Sequence, residues 1–72
     1  MSLKTNLGSR IRNLRLDKGY SQEVLAERAA IDRTYMSAIE RGERNVSIEI
    51  VEKLAIALSI TISELFNFHR LP

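Results

Sequence analysis

The 72-residue sequence predicts an all-α fold, a compact bundle of five short helices. Three observations carry that expectation. Apolar residues recur at helical spacing, as in Leu7, Ile11 and Leu14. Ser21, Asp32, Ser47 and Thr61 stand as N-caps before apolar stretches, while Gly19 and Gly42 stand where helices can stop in a left-handed conformation. No segment alternates in the manner of a strand, and the only proline is the final residue, Pro72. With no repeat, linker or low-complexity tract, residues 1–72 read as a single domain.

The first helix turns Leu7, Ile11 and Leu14 towards a core and stops at Gly19. Ser21 caps the second, Glu23 adds negative charge to its first turn, and Val24, Leu25, Ala26 and Ala29 form its apolar side. A valine three residues after Ser21 precludes a full capping box there. Asp32 caps a third helix from about Arg33 to Arg41, with Met36 and Ile39 inward and Gly42 as its stop. A loop over 43–46 leads to Ser47 and a fourth helix, with Ile50, Leu54, Ala55 and Leu58 inward. Thr61 and Glu64 make a capping box that opens a fifth helix, running through about Phe68.

Composition excludes several classes of function. The chain lacks cysteine, so no disulfide or thiolate metal site is expected. His69 is the only histidine, which argues against a metal centre and against a Ser–His–Asp set. The three glycines are far apart, so no phosphate-cradling loop is present. The expectation is therefore no enzyme, no catalytic residue, no metal and no cofactor. No apolar run approaches the roughly 20 residues that span a bilayer, and the N-terminus has no signal-peptide core. A cytoplasmic, nucleoid-associated location without a membrane partner is expected. The net charge of +2 and the pI near 9.4 admit nucleic acid. Residues 1–18 hold Lys4, Arg10, Arg12, Arg15 and Lys18 against Asp17, for a net +4. Residues 19–46 and 47–72 each come to −1, with Arg33, Arg41 and Arg44 recurring around the third helix and the loop after it.

Residues 21–41 have the layout of a helix-turn-helix, whose second helix enters the DNA major groove. The short turn over 30–32 sets a steep crossing, small Ala26 permits close approach, and Ile31 and Ile39 seal the corner. This leaves Arg33, Thr34, Ser37 and Ala38 as the outward, base-reading set. Arginine can bond guanine bidentately, threonine offers a hydroxyl or methyl, and alanine can meet a thymine methyl. Gln22 opens the second helix, where an amide and backbone N–H groups can grip phosphate. Tyr35, Arg41, Arg44, Asn45 and Ser47 are further candidates for the DNA backbone. Ile48, Val51, Ile56, Ile62, Leu65, Phe66 and Phe68 exceed what one inward stripe can use. They predict a dimerisation surface over about 48–68, with Ile62, Leu65 and Phe68 nearest the two-fold axis and Phe66 shared with the core.

From about Leu7 to Phe68 the chain resembles the phage Cro/lambda-repressor-type (XRE) helix-turn-helix family. The likeness rests on Ser21-Gln22-Glu23 with Leu25-Ala26, on Ile39-Glu40-Arg41-Gly42, and on Leu54-Ala55 with Ala57-Leu58. It implies a lambda-repressor-like five-helix bundle with a central helix-turn-helix, double-stranded DNA as partner, and a homodimer. It implies that Gln22 grips phosphate and that Arg33 and Thr34 begin the reading helix. It also implies an ion pair between Glu40 and Arg15, which can turn Arg15 towards a phosphate. The turn position usually filled by glycine is Ala30, at a cost of about 1 kcal/mol for the left-handed conformation.

The string Asp32-Arg33-Thr34-Tyr35, followed by Ile39 to Asn45, resembles the small controller proteins of restriction–modification systems. By that likeness Arg33 reads bases while Tyr35 and Asn45 touch the backbone. The expected function is sequence-specific transcriptional regulation by a homodimer on a pseudo-palindromic operator, which the controller likeness implies is that of a restriction–modification operon, with no small-molecule effector. The alternative is an antitoxin or another protein-interaction module. That reading needs a further segment for the partner, and only Phe68 to Pro72 follow the fifth helix.

Overall fold

The computed structural model describes residues 2–68; His69 lies outside the described residues. Five helices follow in order: α1 (Leu3–Asp17), α2 (Gln22–Ala29), α3 (Arg33–Glu40), α4 (Ile48–Ala57) and α5 (Ile62–Leu65). No strand occurs among the described residues. The N-caps form where short polar side chains reach forward to orphan N–H groups. Ser21 and Ser47 Oγ accept from Val24 and Ile50 at 3.0 and 3.2 Å. One carboxylate oxygen of Asp32 accepts from both Thr34 and Tyr35. Thr61 and Glu64 make the reciprocal capping box.

The first four helices end by one device. Gly19, Ala30, Gly42 and Ser59 adopt φ of 73°, 56°, 75° and 57°. The N–H of the next residue then reaches back five positions: Tyr20 to Arg15, Ile31 to Ala26, Glu43 to Ala38, Ile60 to Ala55. This is the Schellman arrangement. Ala30 takes the left-handed conformation its turn requires. Ser59 does so with no glycine or asparagine to signal it. Tyr20, Ile31 and Ile60 close their turns by packing on the core, whereas Glu43 is exposed.

The core is a single cluster in which Ile11, Leu25, Met36, Ile39, Leu54, Leu58 and Leu65 are fully buried. α3 packs on α1 and α2, α4 on α2, and α5 on both α1 and α4. That double contact corrects one expectation. Leu65 is 0% exposed, so it belongs to the monomer's core and not to a dimer axis. α5 is also shorter than expected, with Phe66 already its C-cap. On α4, Val51 is buried where Ile50 is only half-buried, and Val24 on α2 is exposed.

Two features of α1 fix its neighbours, Arg10 for α5 and Gly8 for α3. Arg10 is buried, and its Nε and Nη2 both donate to the backbone carbonyl of Glu64, at 3.2 and 2.9 Å. It ties α1 to α5 through a carbonyl that also accepts from the Asn67 N–H. Gly8 is buried where α1 crosses the end of α3. A Cβ there would run into the Ile39 carbonyl oxygen and lie 2.7 Å from that of Glu40. Backbone cannot swing aside as a side-chain tip can. Gly8→Ala gains up to about 1 kcal/mol of helix propensity, but forcing the helices apart costs about 1–3 kcal/mol. The expected outcome is net destabilisation in urea unfolding; equal or greater stability would show that α1 and α3 can separate freely.

Candidate nucleic-acid interface

The outward face of α3 is built from its N-cap onwards. Asp32 starts the helix, so Arg33 and Thr34 fall in its first turn, and both are exposed. Helical spacing brings Ser37 and Arg41 onto the same stripe, away from buried Met36 and Ile39. Arg41 Nη1 donates to Ser37 Oγ at 2.6 Å, an i, i+4 contact that ties the two along the face. Ala38 does not join them. It is 6% exposed, so the expectation of a base contact there is corrected. It lies one residue from inward Ile39, on the edge of α3 that faces the rest of the bundle.

α3 is anchored from beneath by the Glu40 carboxylate. Arg15 Nε donates to Glu40 Oε2 at 2.7 Å and Arg15 Nη2 to Oε1 at 3.0 Å, a bidentate pair. Gln22 Nε2 donates to the same Oε1 at 3.1 Å. One carboxylate thus joins α1, α2 and α3. The side chains of Arg15 and Glu40 are 9% and 4% exposed. Arg15 Nη1 donates in addition to the Tyr20 carbonyl at 2.9 Å. This geometry does not support the expected contact of Arg15 with a DNA phosphate, because the side chain is buried and three of its five N–H groups are bonded inside the three-helix junction. With Arg10 also buried, much of the positive charge of α1 is structural and does not form a surface patch. Sequence reasoning missed Arg10 and Gly8; their partners lie far along the chain and are backbone atoms.

The loop after α3 carries further cations. Arg41 Nη2 lies 3.1 Å from Glu43 Oε1. The hydrogen bond and the charge of Arg41 hold the Glu43 carboxyl below its ordinary range, and Glu43 holds the Arg41 guanidinium above its own. The Arg44 guanidinium lies 5.9 Å from the centre of the half-buried Tyr35 ring, a cation–π contact. Asn45 and Ser47 are exposed beyond it, and Gln22 is half-buried at the start of α2. The structure therefore brings together Gln22, Arg33, Thr34, Tyr35, Ser37, Arg41 and Arg44 on or around α3.

No group of acids and histidines suited to a metal ion occurs among the described residues. A cleft of about 410 Å³ opens beside Asn45, lined chiefly by Leu3, Leu7, Val46, Ile48, Val51 and Phe66. Among the described residues Lys4 is the only charged one in its lining, so these offer no acid–base pair. Among the described residues no helix is long and apolar enough to cross a membrane.

A family model described as helix-turn-helix matches residues 11–65. The chain is 46% identical over 66 residues to the control protein C.MunI of Mycoplasma sp, an alignment covering 90% of this chain and 89% of that one. Among solved structures it is similar to the restriction-modification controller protein C.AhdI from Aeromonas hydrophila. That match has a TM-score of 0.84 and 48% identity, over 86% of this chain and 94% of that one. The controller protein C.Esp1396I, solved as a tetramer in complex with its natural 35 base-pair operator, matches with a TM-score of 0.84 and 36% identity. Coverage there is 92% of this chain and 87% of that one.

Proposed function

Because the chain belongs to the helix-turn-helix family of DNA-binding transcriptional regulators, we propose that it reads one duplex sequence as a homodimer and controls a restriction–modification operon. The observation that carries the proposal is the outward stripe of exposed Arg33, Thr34 and Arg41 with half-buried Ser37, on a helix locked from beneath by Glu40. A face held on a rigid element can keep donors in register with base edges. In this reading Arg33 and Thr34 contact bases, with Ser37 alongside. Gln22, Tyr35, Arg41, Arg44, Asn45 and Ser47 contact the backbone, which fixes register without carrying sequence information. The family supplies no catalytic role. A protein of this kind works in the cytoplasm, at the nucleoid.

Two copies suit a pseudo-palindromic site, and the chain has one reading helix. One copy cannot place recognition helices in two successive major grooves, roughly 34 Å apart on one face of B-DNA. Ile56 and Ile62, 71% and 43% exposed, offer apolar surface on α4 and α5 for the second copy. Phe66 and Phe68 are half-buried beside them in sequence, with ring centres 5.9 Å apart in an edge-to-face pair. Ile62→Glu is expected to give folded monomers in sedimentation at concentrations where wild type is dimeric. Unchanged dimers would move the interface off α5. Leu65 is no probe of association, since an acid at a fully buried position disrupts the fold.

Selection of bound sequences from a random duplex library tests the whole reading. An enriched pseudo-palindrome supports a dimeric, sequence-reading regulator and supplies its operator. No enrichment from folded protein would overturn it and favour a protein partner instead.

A further inference from the structure

We propose that Glu43 sets the sequence discrimination of the α3 face by competing with DNA phosphate for the Arg41 guanidinium. The inference rests on the DNA-binding reading above and assigns a negative side chain a role within it.

Glu43 occupies an unusual position. In the turns that end α1, α2 and α4, the residue after the left-handed position is Tyr20, Ile31 or Ile60, and each packs on the core. After α3 the equivalent residue is an exposed acid. Its backbone is held as firmly as the others, through the N–H bond to Ala38 at 3.0 Å and the turn at Gly42. A Cβ on Gly42 would lie 3.0 Å from Thr5 Cα, so the turn is also pressed against α1. A fixed backbone aims the Glu43 carboxylate back along α3. There it meets Arg41 Nη2, whose Nη1 is bonded to Ser37 Oγ. Arg41 is thus gripped from both sides on the outward stripe, and Arg44 adds a second positive charge near the same carboxylate.

Two consequences differ between cognate and random DNA. On random DNA, a loosely docked protein is drawn mainly by phosphate charge. A guanidinium already paired with Glu43 contributes little to that attraction. On the cognate site α3 is fully seated, and a guanidinium held in one orientation has less freedom to lose on binding. Glu43 therefore weakens random binding more than cognate binding. The pair is exposed, 53% and 58% for the two side chains, so a phosphate can reach it.

The test measures affinity for the duplex selected from the random library and for a scrambled duplex of equal length, across a salt series. Glu43→Gln keeps the shape and the backbone bond while removing the charge. It is expected to bind the scrambled duplex about two- to five-fold more tightly per subunit, the range of one exposed ion pair. Its salt dependence on that duplex should steepen by up to about one phosphate per subunit. Cognate affinity should change less, so the ratio falls. In an Arg41→Ala background the same substitution should leave the ratio where it was, because the competition has lost its object. Equal tightening on both duplexes, or an undiminished effect without Arg41, would overturn the inference and reduce Glu43 to a general charge. Wild type that prefers neither duplex would instead bring down the DNA-reading proposal and this inference with it.

Discussion

Glu40→Ala is expected to destabilise the protein by about 3–5 kcal/mol, the usual result of removing one partner from a buried ion pair. Arg15 would keep its bond to the Tyr20 carbonyl but lose both of its contacts to carboxylate oxygen. Gln22 would lose its acceptor in the same step. A domain of this size has a total stability of roughly 4–11 kcal/mol, so a large fraction of the variant should be unfolded near physiological temperature. Urea unfolding followed by circular dichroism measures the loss. A change below about 1 kcal/mol, the range of exposed pairs, would mean that the junction of α1, α2 and α3 is held by apolar packing alone. Replacing both partners, as Arg15→Met with Glu40→Leu, should cost far less, because no uncompensated charge remains buried. The comparison separates the value of the pair from the penalty of breaking it.

Arg33→Ala is the converse case, with a large effect on binding and almost none on folding. The side chain is exposed in the first turn of α3, and Asp32 caps that turn through its own carboxylate. Losing a bidentate base contact costs roughly 1–3 kcal/mol at each half-site, and a two-fold complex loses it twice. The selected duplex should therefore be bound tens to about ten thousand times more weakly, with discrimination relaxed at one base pair per half-site and the unfolding midpoint unchanged. Wild-type affinity for the selected duplex would show that another residue reads that base.

The corrections to the sequence reading have a common form. Ala38 and Leu65 each lie one residue from a position whose side chain points another way. Periodicity defines a stripe, but its edges depend on which neighbours cover it. α5 touches both α1 and α4, so its inward position is Leu65. Arg10 is unremarkable in a basic helix until the Glu64 carbonyl comes within 2.9 Å of it. Any residue type supplies a backbone carbonyl, so nothing in the sequence marks the partner. Gly8 is silent for the same reason, since what it makes room for is backbone at the end of α3. The Arg15–Glu40 pair was legible only through the family resemblance, because 25 residues separate its members.

The sequence by itself determined the number and order of the five helices, the caps at Ser21, Asp32, Ser47 and Thr61, the turns at Gly19, Ala30 and Gly42, and the exposed start of α3. All of these depend on contacts within three to five residues, a range over which chain geometry leaves few choices. Tertiary structure alone decided which arginines are spent in the interior, which apolar residues remain outside, and how the Glu40 carboxylate locks the third helix. Those outcomes depend on groups brought together from distant parts of the chain, where burial and the satisfaction of buried charge, not local spacing, select the partner.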